Sequence, residues 1–134
     1  MIFIDTTTQN IALTRGDYAA IVFCAYEEDE ETLYELNEGD TVQLQIGKKY
    51  GTPLKTYKKV KEDSETTTAD DYTIEIPSVD TDEAKSTKDM KFGDYVYDVS
   101  IITADGYVCT YIGADRSKQP QFTILNEVGE RTEE

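Results

Sequence analysis

The chain has 134 residues, with 13 Lys+Arg against 28 Asp+Glu and no His, so its formal net charge is −15. That length fits one domain, and at this size roughly two-thirds of the unfolded chain's surface can be buried without disulfide or metal staples. The missing histidines exclude His-Asp dyads, Ser-His and Cys-His nucleophile activation and most zinc sites. The acidic balance excludes the basic surface by which nucleic acid or an anionic membrane is bound, so neither is expected as a partner.

High net charge with modest hydrophobicity is also the composition of disordered chains. Here the apolar residues are clustered and alternating, and ten Tyr with four Phe supply large side chains for a core. A folded domain is therefore expected. Met1-Ile2-Phe3-Ile4-Asp5 lacks the basic start and long apolar stretch of a signal peptide, and the longest run without a charge or strong polar group is Tyr18 to Tyr26. Neither an export signal nor a membrane span is expected. Cys24 and Cys109 stand far apart, outside any CxxC or Cys/His grouping, and read as free thiols, with a pairing left open.

In chain order, Ile11 to Thr14 reads as a short strand, and Arg15-Gly16-Asp17 has turn chemistry. Tyr18 to Tyr26 puts Ala19, Ile21, Phe23 and Ala25 on one face and Ala20, Val22 and Cys24 on the other, which predicts a central strand partly covered on its second side. Glu27 to Glu31 is an unbroken acidic run and predicts a solvated loop. Leu33, Tyr34 and Leu36 return towards the core before the turn cluster Asn37-Glu38-Gly39-Asp40. Thr41 to Ile46 alternates strictly, with Val42, Leu44 and Ile46 facing in.

Leu54 to Val60 resumes as a strand whose lysines mark it as an edge, where charge blocks unwanted pairing. Glu62 to Asp71 is polar and irregular; Tyr72 to Ile76 alternates again and Pro77 ends it. From Val79 to Met90, Asp80 with Glu83 three residues on has the spacing of a capping box, which predicts a short surface helix. Phe92-Gly93-Asp94 turns the chain into Tyr95 to Ile101, with Tyr95, Tyr97, Val99 and Ile101 on one face. Asp105-Gly106 then predicts a hairpin with Tyr107 to Ile112 as the return strand. After a polar break at 113–119, Phe122 to Leu125 is the last strand.

This pattern predicts an all-β fold, an antiparallel immunoglobulin-like β-sandwich of about seven to nine strands with one short surface helix. A small barrel is the runner-up. Residues 1–125 would form the single domain and 126–134 a charged tail expected to fray.

Chemistry-bearing motifs are few. Arg15-Gly16-Asp17 spells an integrin-type tripeptide, but a tight turn between strands uses the same residues. The run Glu27 to Glu31 lacks the D-x-D-x-D-G spacing of a calcium loop. No P-loop, G-x-G-x-x-G or G-x-S-x-G is present, and no carboxylate pair stands in a suggestive context, so no enzyme, metal or cofactor is expected. The order of charges says more. Residues 27–40 hold eight acids and no base, 41–61 six lysines and no acid, and 62–83 nine acids and no base. A basic hairpin between acidic segments reads as edge protection and charge balance, or as a docking patch built on Lys48, Lys49, Tyr50, Lys55, Tyr57, Lys58 and Lys59, with the two tyrosines as anchors.

Ile11-Ala12-Leu13-Thr14-Arg15-Gly16-Asp17, together with Met90-Lys91-Phe92-Gly93-Asp94-Tyr95-Val96-Tyr97-Asp98-Val99, Asp105-Gly106 and the closing Phe122-Thr123-Ile124, resembles small immunoglobulin-like domains of tailed phages and prophages. In particular it resembles the N-terminal domain of phage upper-baseplate proteins. The resemblance implies a non-enzymatic structural module of a virion tail or baseplate. Such a module would dock to other tail or baseplate proteins or to itself, in the virion or in the host cytoplasm before assembly. The alternative from another class is a bacterial cell-surface adhesion or carbohydrate-binding sandwich; an acidic mimic of nucleic acid would need one continuous carboxylate face, which the lysine block interrupts.

Overall fold

A computed structural model of the chain describes residues 9–27, 31–48, 51–113 and 119–125, and the backbone of 2–4. Nine strands occur among them: β1 (Ile2–Ile4), β2 (Ile11–Thr14), β3 (Ala19–Val22), β4 (Thr41–Gly47), β5 (Pro53–Val60), β6 (Thr73–Ile76), β7 (Gly93–Ile102), β8 (Val108–Ile112) and β9 (Gln121–Leu125). The protein is all-β. Its larger sheet has seven strands, running β1-β2-β9-β7-β4-β5 with β8 added to β7, while β3 and β6 form a separate antiparallel pair.

The sheet is built outward from the two segments whose alternation is cleanest. β4 buries Val42, Leu44 and Ile46 completely, a gain of about 1.5–3 kcal/mol for each side chain by transfer arithmetic. It pairs antiparallel with β7 from Thr41↔Ile102 to Gly47↔Val96 and with β5 on its other side. Strand β7 turns Tyr95, Tyr97, Val99 and Ile101 to the same buried side. Its far edge is shared by two strands in succession, β9 along Gly93 to Val96 and β8 along Val99 to Ile102. The predicted hairpin joins β7 to β8, with Gly106 at φ +94 and its N–H donating to the Thr103 carbonyl.

Three expectations are corrected. The sheet is mixed and not purely antiparallel, because β2 runs parallel to β9 from Ile11↔Phe122 to Thr14↔Leu125. Strand β3 is not central; among the described residues it pairs with β6 alone, although Ala19, Ile21, Phe23 and Ala25 are buried as the alternation requires. No helix forms over 79–90. There the Asp80 carboxylate accepts from the backbone and hydroxyl of Ser86, and the Thr81 hydroxyl accepts from the Ala84 N–H. These bonds close a compact loop and satisfy the groups a helix would have used. The helical element is instead a 3₁₀ turn at Ala69–Tyr72.

Alternate side chains of the two-stranded sheet, Ile21, Ile74 and Ile76, share one buried cluster with Leu44, Val99 and Phe122 of the larger sheet. Phe23, Tyr97 and Phe122 meet ring to ring at its centre. Every buried side-chain nitrogen and oxygen among the described residues has a hydrogen-bond partner. None of the helical residues among them forms a stretch long and apolar enough to cross a membrane.

Candidate interaction surface

Strand β5 is the edge its lysines predict, and its side chains divide between core and solvent. Tyr57 is a core residue, 2% exposed, and its hydroxyl donates to the Lys85 carbonyl. That corrects its reading as an anchor: its parity on β5 points it inward. Lys55 is mostly buried and paired with Asp89 at 2.7 Å. Lys48 sets its ammonium 5.2 Å from the centre of the Tyr95 ring. Lys58 and Lys59 are exposed; Lys49 and Tyr50 lie outside the described residues. A polar recess beside β5 is lined by Lys58 and Lys59 together with Glu75 and Glu83, so its charges balance. Lys48 and Lys55 are thus engaged within the fold, and Lys58 and Lys59 are the exposed charges on this edge among the described residues.

Lys61 has a role that its place in the lysine run does not reveal. It is 2% exposed and its ammonium bridges Asp63 at 2.9 Å and Asp71 at 3.2 Å. The hydrogen bond to Asp63, outweighing desolvation, raises the Lys61 pKa, and the same bond lowers that of Asp63. The pair closes the irregular segment after β5 and is structural.

The tyrosines divide into two groups. Five of them, Tyr57, Tyr72, Tyr95, Tyr97 and Tyr111, pack their rings inward and donate their hydroxyls to backbone carbonyls of Lys85, Tyr34, Lys91, Gln9 and Phe23 respectively. Each ring fills the core while its polar tip ties down a loop, which satisfies both ends of a buried tyrosine. Burial raises the pKa of Tyr57, Tyr72, Tyr97 and Tyr111, so these hydroxyls stay protonated at neutral pH and act as fixed donors. Four others, Tyr18, Tyr26, Tyr34 and Tyr107, are exposed by 40 to 75%.

Three of those four converge. Tyr26 follows β3, Tyr34 lies on the returning segment, and Tyr107 opens the limb after the β7–β8 turn. With Ala25, Ile101, Val108 and Tyr111 they line an apolar groove of about 170 Å³, in which Thr103 and Cys109 are the remaining residues. The walls are held from behind. Tyr26 and Leu33 form a β-bridge, the Tyr34 N–H donates to the Ala25 carbonyl, and the Tyr72 and Tyr111 hydroxyls bind the carbonyls of Tyr34 and Phe23. Asp40, buried, accepts from the N–H groups of Asn37 and Ala104 and so anchors the hairpin to the acidic segment. The neighbouring Cys24 sulfur, through charge and a hydrogen bond, raises the Tyr26 hydroxyl pKa.

The Arg15-Gly16-Asp17 turn is built into the fold. The Arg15 guanidinium lies 4.2 Å over the Phe92 ring, and the Gly16 N–H donates to the Thr87 hydroxyl. Among the described residues no three acidic or cysteine side chains converge as metal ligands. Cys24 is half-buried and Cys109 exposed, and both carry free thiols. No protein-family model matches the chain, and neither a curated protein nor a solved structure matches it.

Proposed function

We propose that this chain is a non-enzymatic docking module with an immunoglobulin-like β-sandwich architecture, working in a phage or prophage tail or baseplate. The observation that carries the docking role is the convergence of Tyr26, Tyr34 and Tyr107 with Val108 around one apolar groove. Large exposed aromatics gathered in one place are the usual anchors of protein interfaces, whereas the buried side-chain polar atoms among the described residues are all paired within the fold.

The strand order supports the architecture. The succession β9-β7-β4-β5 has the pattern of the G-F-C-C′ sheet of immunoglobulin variable-type domains, and the β3–β6 pair that of strands B and E. Tyr95, near the start of β7, donates its hydroxyl four residues upstream to the Lys91 carbonyl, the geometry of the tyrosine corner in such domains. The inter-sheet disulfide and core Trp of antibody domains have no counterpart, since Cys24 and Cys109 are free and the chain holds no Trp. The tail or baseplate setting rests on the resemblance of the Ile11–Asp17 and Met90–Val99 motifs. Arg15 stacked on Phe92 joins these two stretches.

The test is assembly. Purified with the products of the genes flanking its own, the protein is expected to form a stoichiometric complex with a tail or baseplate protein by size exclusion with light scattering, and Tyr107→Ala is expected to release it. A protein that binds none of them and instead retains glycans on an array is an adhesin, and the proposal fails.

A further inference from the structure

Resting on that docking reading, the geometry points to the chemistry of the partner: we infer that the tyrosine groove receives a lysine or arginine side chain from an extended segment of another protein. The groove is small, about 170 Å³, the scale of one long side chain and not of a packed helix. Its lining is apolar or aromatic apart from Thr103 and Cys109. The hydroxyl of Tyr111 is already engaged by the Phe23 carbonyl, so that residue offers the groove carbon and ring. Such a lining accepts the alkyl stem of a cationic side chain, and tyrosine rings attract its charge.

The rim supplies the selection. Glu27 follows Tyr26 directly, with its N–H bonded to the Thr32 carbonyl, and Glu35 follows Tyr34; both are exposed. Asp105 stands at the turn that carries Tyr107. The sequence from 27 to 40, which contributes Tyr34 to the groove, holds eight acids and no base, and among the described residues no lysine or arginine lines the groove. A cation therefore gains at the rim as well as at the rings, and an anionic partner is repelled. A second copy of this chain would bring two acidic rims together across a symmetric interface, within the distance over which charges act at physiological salt. The occupant that satisfies both wall and rim is a basic segment of a different protein.

The experiment is a titration of the full chain, labelled with ¹⁵N, with hexalysine and with hexa(acetyl-lysine), which keeps the stem and removes the charge. Hexalysine is expected to shift the amides of Tyr26, Tyr34, Thr103 and Tyr107 to Cys109, and the acetylated peptide is not. Tyr107→Ala, at a residue 75% exposed, is expected to weaken the affinity about threefold to tenfold. Glu27→Gln with Glu35→Gln is expected to weaken it without altering the groove. Shifts spread evenly over the acidic segment 62–83, equal binding of the acetylated peptide, or indifference to Tyr107→Ala each overturns the inference. So does a concentration-dependent shift of the same amides in the protein alone, which would identify a second copy as occupant. If hexalysine fails while a purified assembly partner still perturbs these amides, the docking role stands and the cationic specificity falls. If that partner leaves them unmoved as well, both fall.

Discussion

Tyrosine both fills the core and ties loops to it, because it can be apolar at one end and a donor at the other. A ring left in the core with an unpaired hydroxyl would incur the full desolvation cost of that group, whereas a hydroxyl aimed at a loop carbonyl contributes about 1 kcal/mol net. Tyr57, Tyr72, Tyr97 and Tyr111 follow the second course. Their raised pKa values have a consequence for alkaline solutions. A group whose folded pKa lies above its unfolded value of 10.0 stabilises the fold fully below that value and loses its contribution as pH rises beyond it. The protein is therefore expected to be indifferent to pH from 7 to 9 on this account and to unfold cooperatively above 10. Tyrosinate absorbance should rise in two stages, the exposed group before the loss of circular dichroism and the buried group with it; a single early stage would mean that the buried hydroxyls are open to water. Asp40 works in the same way with a carboxylate. It is 3% exposed and holds two N–H groups, one from its own turn and one from Ala104 beside the hairpin. Asp40→Ala leaves both donors unpaired and is expected to cost about 1–3 kcal/mol in urea melts, with faster hydrogen exchange at Ala104.

At the scale of elements, the long return limb after β7 is broken at Gly113, where β8 ends and the chain moves on to β9. Gly113 has φ +80, and a Cβ there would stand 2.6 Å from the Tyr97 carbonyl oxygen. That carbonyl belongs to a strand paired on both sides, with the Tyr97 N–H bonded to Pro120, so it cannot withdraw. Gly113→Ala is expected to cost more than the roughly 1–2 kcal/mol of the left-handed backbone alone, read as a lowered urea midpoint with unchanged slope. The break is also where local sequence pattern stops being sufficient. Strands with strict alternation, β4 and β7, and the Asp-Gly hairpin are fixed by local pattern and are legible in the sequence. The parallel pairing of residues 11–14 with 122–125 has no local code. The contribution of Ile2–Ile4 is invisible there because three residues are too few for a period to emerge. The Asp80 and Glu83 spacing suggests a helix cap, but a stretch with so few apolar residues has no face to bury, and Asp80 bonds Ser86 instead. The groove is illegible for the same nonlocal reason: Tyr26, Tyr34 and Tyr107 meet only through the topology. One signal is present, since Tyr26 shares the outward parity of Ala20, Val22 and Cys24. The lysine cluster is legible as charge, yet not as geometry, because parity on β5 sends Tyr57 into the core.

For the whole molecule, salt acts on two opposed interactions. Screening weakens the pairs Lys55–Asp89 and Lys61 with Asp63 and Asp71, of which the exposed members contribute little, about 0–1 kcal/mol for a typical surface pair. It also relieves the self-repulsion of a chain with net charge −15, which destabilises the compact state. Acids outnumber bases 28 to 13, so repulsion outweighs the ion pairs. Raising NaCl from 10 to 150 mM, where the Debye length contracts to about 8 Å, is expected to raise the melting temperature by about 3–5 °C, the equivalent of about 1 kcal/mol for a domain of this size. A sucrose control of equal osmolality separates charge screening from solvent exclusion, and a fall in melting temperature would show that the ion pairs dominate. Binding of a cationic segment at the tyrosine groove has the opposite sign, since the same salt screens the attraction between rim and ligand. Stability and affinity should thus move in opposite directions along one salt series, and a partner whose binding strengthened with salt would be held by the groove's apolar wall alone.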